Sequence, residues 1–301
     1  MQILVTGGDG FVGRHLCAEL ADRGHDVTSF SRSPDPTVLP DSVETFAGDV
    51  TDADAVESAT EGKDVVYNLV ALSPLFTPKG GNEMHEKVHL GGTKNVVAAA
   101  ESEGVDRLVQ MSANGADPNG ATHYIRAKGR ADEVVKSSDL DWVIFRPSIV
   151  FGEGDEFVDF TKKLKKWFAP GVPLYPLPGG GTQMRFQPIW VEDFAPMLAD
   201  AAEEEQHVGQ TYEIGGPEVH TLREVTEMVY DSENKDIKIV SLPIALAGVG
   251  LTTLSVVPGF PMGKDQYKSL TFDNTTGTDA LAAFDVDTAE LRTFQSYLNS
   301  R

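Results

Sequence analysis

The chain is poor in several things, and each shortage excludes something. Cysteine occurs once, at Cys17, so no intramolecular disulfide framework can staple the fold. Basic residues are outnumbered, 25 Lys and Arg against 46 Asp and Glu, for a net charge of −21. That balance argues against binding nucleic acid through a basic surface, because neutralising phosphates takes Lys and Arg. A phosphate-bearing ligand would have to be held locally, by backbone amides and a few arginines. No internal repeat and no low-complexity tract is present, and the C-terminal half has no cluster of arginines of the kind that clamps a diphosphate. Long uncharged runs are nearly absent. The exception, residues 240–263, is broken by Pro243, Pro258, Pro261, glycines and hydroxyls, which predicts a buried or interfacial segment rather than a membrane span. The first strand is predicted to start at residue 2, which leaves no room for a secretion signal and predicts a cytoplasmic protein.

What is present is concentrated near the start. Gln2-Ile3-Leu4-Val5 reads as a short buried strand, Thr6-Gly7-Gly8-Asp9-Gly10-Phe11-Val12-Gly13 as a glycine-rich turn, and the stretch with Leu16, Cys17 and Leu20 as a helix that stops at Gly24. Asp26-Val27-Thr28-Ser29-Phe30 is the next strand. A glycine loop between a strand and a helix is suited to phosphate. Gly7 allows a tight turn, Gly10 lets backbone approach a pyrophosphate, Gly13 lets helix and strand pack closely, and the helix N-terminus offers free amides. Cys17 falls on the apolar side of that helix, as a core residue.

With 301 residues the chain can form one large domain or two interlocked ones. After Phe30 the second strand ends in Ser31-Arg32-Ser33, with no acid before Asp35. An acid here reads the ribose hydroxyls of NAD, whereas an arginine accommodates the 2′-phosphate of NADP. Ser31, Arg32 and Ser33 therefore predict NADP(H) over NAD(H), the alternative being that Arg32 is a solvated loop residue. Thr51 is predicted to cap the helix that follows Gly48-Asp49-Val50. Further on, Ser112 ends the fifth strand and Tyr124 and Lys128, four apart, share one helical face. A tyrosine hydroxyl near pKa 10 is a poor acid or base at neutral pH, and a fixed ammonium nearby favours its phenolate. Tyr124 is thus a candidate proton donor or acceptor, Lys128 its tuner and Ser112 the group that polarises a substrate oxygen. The alternative is a tyrosine packed at a helix start.

These motifs resemble the short-chain dehydrogenase/reductase superfamily in its extended and atypical branches. The glycine spacing Gly7, Gly10, Gly13 resembles its T-G-x-x-G-x-x-G loop. Arg146-Pro147-Ser148-Ile149-Val150-Phe151-Gly152 resembles its R-P-x-x-[VI]-x-G segment, and Gln187-Pro188-Ile189-Trp190-Val191-Glu192-Asp193 its return element. Gly91-Gly92-Thr93-Lys94-Asn95-Val96 is similar to N-x-x-G-T-x-N-V, except that His89 stands where Asn is usual. The phrases from Tyr124 to Lys128 and Ile149 to Phe157 resemble, within the superfamily, the group that holds the NADPH-binding accessory subunit of respiratory complex I and its stand-alone prokaryotic relatives.

The resemblance implies an α/β fold, a doubly wound parallel Rossmann sheet over residues 1–150 with 185–215 returning to it. It implies a smaller lobe over residues 151–301 for substrate or docking. It also implies a dinucleotide held by Thr6, Gly7, Gly10, Phe11, Val12, Gly13, Ser31, Arg32, Ser33, Asp49, Val50, Val70, Ala71, Lys128, Arg146, Pro147, Ser148 and Ile149. No metal is expected. Two functions are implied: an NADP(H)-dependent oxidoreductase or epimerase acting on a small organic or lipid-like substrate through Ser112, Tyr124 and Lys128, or a cofactor-binding accessory protein in peripheral contact with a membrane redox complex. A nucleotide-sugar epimerase is the alternative among enzymes. Finally, the acid excess resembles that of proteins from salt-loving archaea.

Overall fold

The computed structural model of the chain describes residues 1–243, 263–277 and 280–301. Most of the uncharged segment, residues 244–262, lies outside the described residues. The described chain forms two compact units: one is Met1–Leu72, Pro78–Pro147 and Val191–Glu213, the other Ser73–Thr77, Ser148–Trp190 and Ile214–Arg301.

The first unit alternates strands and helices: β1 (Gln2–Thr6), α1 (Phe11–Asp22), β2 (Asp26–Ser31), β3 (Glu44–Ala47), α2 (Ala53–Thr60), β4 (Val65–Asn68), α3 (Gly92–Glu103), β5 (Arg107–Met111), α4 (His123–Lys136) and β6 (Asp141–Pro147). Ile3, Leu4, Val5, Val66, Leu108, Val109, Val143 and Ile144 are all fully buried. Continuous apolar strands of this kind are covered on both faces, as in a parallel sheet flanked by helices. The pairings from β3 across to β6 are parallel.

The chain then contributes β7 (Val150–Phe151), α5 (Glu156–Phe168), β8 (Leu174–Pro178), β9 (Arg185–Phe186) and β10 (Ile189–Trp190) to the second unit. It returns to the first with α6 (Val191–Glu203) and β11 (Gln210–Ile214). The seven-stranded sheet runs β11-β6-β5-β4-β1-β2-β3. The strand order reverses between β1 and β4, and the crevice beyond the carboxyl ends of strands at such a point is where this architecture takes ligands.

That switch point is held by a buried polar strip. The Thr6 hydroxyl donates to Asn68 Oδ1 (2.9 Å), and Asn68 Nδ2 donates to Gln110 Oε1 (2.9 Å) and Thr93 Oγ1 (3.0 Å). All four groups are buried, so each bond also avoids the cost of an unpaired polar atom. The cap of α2 differs from the expectation. Asp52, not Thr51, accepts from the amide of Ala55, while Thr51 donates its amide and hydroxyl to Asp49 (both 2.9 Å). An aspartate one residue closer to the helix reaches the N3 amide, and Thr51 tightens the preceding turn.

The second unit has its own aromatic core, with Phe151, Phe157, Phe160, Tyr175, Phe186 and Phe294 buried together. Asp155 caps α5 through the amides of Phe157 and Val158. Two lysines in the middle of α5 are used locally: Lys162 pairs with Glu233, and the Lys163 ammonium lies 5.3 Å from the Phe76 ring centre. Thr221 and Glu224 form the expected capping box at the start of the helix Leu222–Ser232. Among the described residues no helix is long and apolar enough to cross a membrane, and no group of three or more metal-ligating side chains is found.

Candidate active site

The glycine loop emerges from β1 into the switch point. Gly7 has φ = +76°, a left-handed conformation, and its amide donates to the Phe30 carbonyl (2.7 Å), pinning the loop to the end of β2. Gly13, in the first turn of α1, sits against the loop backbone. A Cβ added there would fall 2.1 Å from the Gly7 carbonyl oxygen and 2.7 Å from Gly8 Cα. Gly10 caps α1 without a side chain, so among the described residues the amides of Phe11, Val12 and Gly13 have neither an intrahelical carbonyl nor a side-chain cap. Free amides and the positive end of a helix, beside a loop that packs too closely on α1 for any side chain at position 13, fit a pyrophosphate. Val70 closes the other side, its backbone nitrogen 3.4 Å from where a Gly7 Cβ would lie, and Ala71 follows it, exposed. Thr6 contributes from beneath, since its buried hydroxyl is engaged with Asn68.

At the end of β2, Arg32 and Ser33 are exposed, and Arg32 makes no hydrogen bond or ion pair among the described residues. Ser31 is not free. Its hydroxyl donates to Asp9 Oδ2 at 2.7 Å, and the same oxygen accepts from the Asp35 amide at 3.2 Å. Beside them, Asp49 is half-buried, which raises its carboxyl. The Thr51 hydrogen bonds and the positive charges of Arg32 and Lys87 outweigh this and hold it below the ordinary range. Val50 is buried, and its carbonyl accepts from Asn95 Nδ2 (2.8 Å), which ties this turn to α3.

The third part is built on β5 and α4. Thr122 caps α4 through the Ile125 amide (3.2 Å). The helix then lines up Tyr124, Lys128 and Asp132 at intervals of four, on one face. Lys128 is 1% exposed, and its Nζ donates to the Met111 carbonyl at 2.7 Å, at the residue immediately before Ser112. Burial lowers its pKa to about 8, against an opposing pull from the Asp132 charge. Ser112, 3% exposed, has a hydroxyl with no hydrogen-bond partner among the described residues. Tyr124 keeps part of its surface in solvent, but its phenol end is enclosed. Burial pushes its hydroxyl well above the ordinary value, and the Asp132 carboxylate adds to the shift. This direction is opposite to the one expected from a neighbouring ammonium: burial dominates, and the charge that acts on the phenol is the Asp132 carboxylate.

Arg146, at the end of β6, is committed to protein. Its Nε and Nη2 both donate to Asp132 Oδ2 (2.9 and 2.7 Å), so it braces β6 against α4. The Pro147 carbonyl accepts from the Asn114 amide (3.1 Å). Ser148 and Ile149 belong to the second unit. There the Ser148 hydroxyl donates to the Asn274 carbonyl and accepts from the Gln187 amide, and the Ile149 carbonyl accepts from the Ile189 amide (2.8 Å). Cys17 is buried, with its thiol pushed up to about 12 by that burial and, second, by the Asp9 charge, so it is an inert core residue.

Two neighbours of Tyr124 carry chemistry that motif reading did not assign. Before α3 the helix opens into a π-helical turn, Glu86–Gly91, a distortion often found at functional sites. The turn brings the rings of His85 and His89 edge-on to Tyr124, with centroids 5.5 and 5.3 Å away. His89 is 2% exposed. Burial, with the charges of Lys128 and His85, holds it well below the ordinary histidine value, so the ring is neutral. Its Nε2 accepts from the Leu72 amide (2.8 Å), which assigns the proton to Nδ1. In the sequence His89 stands out only as a departure from N-x-x-G-T-x-N-V, and His85 and Asp132 belong to no motif, so only packing reveals that the two histidines meet Tyr124.

A family model described as NAD(P)H-binding matches residues 7–166. The chain is 30% identical over 303 residues to the Arabidopsis thaliana mitochondrial NADH dehydrogenase [ubiquinone] 1 alpha subcomplex subunit 9, covering 94% of this chain and 73% of that one. It is 34% identical over 179 residues to a 2-alkyl-3-oxoalkanoate reductase of Stenotrophomonas maltophilia, spanning about half of each. A Thermus thermophilus UDP-glucose 4-epimerase crystallised with NAD shares the fold, with a TM-score of 0.72 at 22% identity over 99% of this chain and 97% of that one. The chain therefore belongs to the NAD(P)H-binding family, in its atypical short-chain dehydrogenase/reductase branch.

Proposed function

We propose that this protein is an NADP(H)-dependent oxidoreductase or epimerase acting at a hydroxyl or carbonyl of a small organic or lipid-like substrate. The observation that carries the reading is the Ser112 hydroxyl, buried at the end of β5 without a hydrogen-bond partner among the described residues, one residue after the Met111 carbonyl that accepts from Lys128. A buried hydroxyl without a partner costs about 1–3 kcal/mol, and a substrate oxygen would satisfy it. The glycine loop and the first turn of α1 would hold the pyrophosphate, and exposed Arg32 with Ser33 supports NADP(H). The bound dinucleotide would supply or accept the hydride. Tyr124 gives or takes the proton at the substrate oxygen, Ser112 donates a hydrogen bond to that oxygen, and Lys128 keeps a positive charge beside the phenol. Two further features support this reading. Asp132 counters the tendency of burial to strip the proton from Lys128. One relative is named a 2-alkyl-3-oxoalkanoate reductase, which supports a substrate with a carbonyl and an alkyl chain.

A second reading has its own observation. The enclosed Tyr124 hydroxyl is pushed up rather than down, as in a residue used for packing, and two relatives are named as subunits of mitochondrial NADH–ubiquinone oxidoreductase. In that reading the protein binds the dinucleotide and docks on a membrane redox assembly. The Tyr124→Phe variant separates the two. With oxidation of NADPH followed over a panel of oxo compounds, loss of the hydroxyl is expected to cut turnover by roughly two to four decades. Dinucleotide affinity should stay within about twofold, since the phosphate cradle is untouched. Full turnover in the variant would refute the catalytic role, and tight dinucleotide binding without turnover on any compound would favour the accessory reading.

A further inference from the structure

The residue between the loop glycines, Asp9, lies beside the exit of β2. Asp9 Oδ2 accepts the Ser31 hydroxyl at 2.7 Å and the Asp35 amide at 3.2 Å, so one carboxylate ties the glycine loop to the exit of β2. This exit is the position at which an acid accepts from the ribose 2′-hydroxyl of NAD and an arginine accommodates the 2′-phosphate of NADP. Here the acid comes from the glycine loop rather than from the end of β2. Ser31, read from sequence as a donor to phosphate, already donates to Asp9. Arg32 is the one cation among residues 31–35, and Asp35 adds a second carboxylate, exposed and bonded to its own Thr37.

We propose that Asp9 sets cofactor selectivity: its carboxylate accepts from a ribose 2′-hydroxyl and repels a 2′-phosphate, opposing Arg32. The inference rests on dinucleotide binding at the glycine loop and holds whichever cofactor the native protein prefers. A 2′-phosphate carries close to two negative charges at neutral pH, and the carboxylate is one hydrogen bond away from the serine that would receive it. Asparagine at position 9 keeps an oxygen for Ser31 and for the Asp35 amide while removing the charge.

The test is a pair of binding titrations, NADPH and NADH, on the native protein and on three variants, read as the ratio of the two affinities. Asp9→Asn is expected to raise the NADPH:NADH ratio at least tenfold. Asp9→Ala should do the same, which covers the case of a poorly folding Asn variant. Ser31→Ala, which leaves the carboxylate in place, should leave the ratio unchanged or lower it. A ratio within twofold of native in both Asp9 variants would overturn the proposal. So would an equal rise in Ser31→Ala, because the hydroxyl link rather than the charge would then be at work. Failure of the native protein to bind either nucleotide would instead remove the dinucleotide reading and this inference with it, an outcome distinct from an unmoved ratio.

Discussion

A lysine buried as deeply as Lys128 has a measurable effect on stability. Its pKa falls from 10.5 in the unfolded chain to about 8 in the folded one, chiefly because burial penalises the charged form. Below pH 8 both states carry the proton, and the folded state bears the full cost of a buried ammonium. As pH rises through 8 the folded protein releases the proton while the unfolded chain keeps it up to 10.5. The unfolded state then binds more protons, so the free energy of unfolding must rise with pH across that window. The linkage relation gives a gain of about 2 kcal/mol between about pH 7 and about pH 9.5, approaching about 3 kcal/mol when both states are deprotonated. Other groups titrate in this range, so the quantity to measure is a difference. Urea unfolding of the native protein and of Lys128→Met, without nucleotide, should give stability curves that diverge by this amount, with the native curve rising relative to the variant. Parallel curves, within about 0.5 kcal/mol, would show that the ammonium is not desolvated as its surroundings imply.

Two other outcomes are expected. Gly13→Ala would place a methyl group 2.1 Å from the Gly7 carbonyl oxygen. Neither backbone segment can yield cheaply, so a loss of about 1–3 kcal/mol in unfolding experiments is expected. At least a tenfold weakening of dinucleotide binding should accompany it, and a variant that binds as the native protein does would show that the loop does not cradle the phosphates. Separately, the net charge of −21 implies self-repulsion in the folded state. If it reflects a salt-rich cytoplasm, the midpoint of thermal unfolding should climb from dilute buffer to molar KCl, and a flat or falling midpoint would remove that reading.

The sequence by itself determined the architecture of the first unit. Apolar runs that bury both strand faces, helices between them and a glycine spacing that only a close strand–helix turn requires leave little choice of fold, since each is a local signal. The same holds for the capping box of Thr221 and Glu224, and for the pairing of Tyr124 with Lys128, whose common face follows from helical geometry alone. Tertiary structure decided what each of those groups is bonded to. Tyr124 and Lys128 are four apart in any helix, but burial of the phenol and the Asp132 carboxylate raise the hydroxyl, while the Lys128 ammonium is bonded to the Met111 carbonyl of a neighbouring strand. Arg146 is expected from the sequence among the cofactor-binding residues, yet its guanidinium is taken by Asp132, fourteen residues away on another element. Ser31 and Asp9 are twenty-two residues apart and meet only because the parallel β1–β2 pair brings the glycine loop beside the exit of β2. Periodicity and spacing report conformation along the chain. Desolvation and charge act through space, so the protonation of Tyr124 and Lys128 and the balance of charge around a 2′-phosphate emerge only once distant segments are packed together.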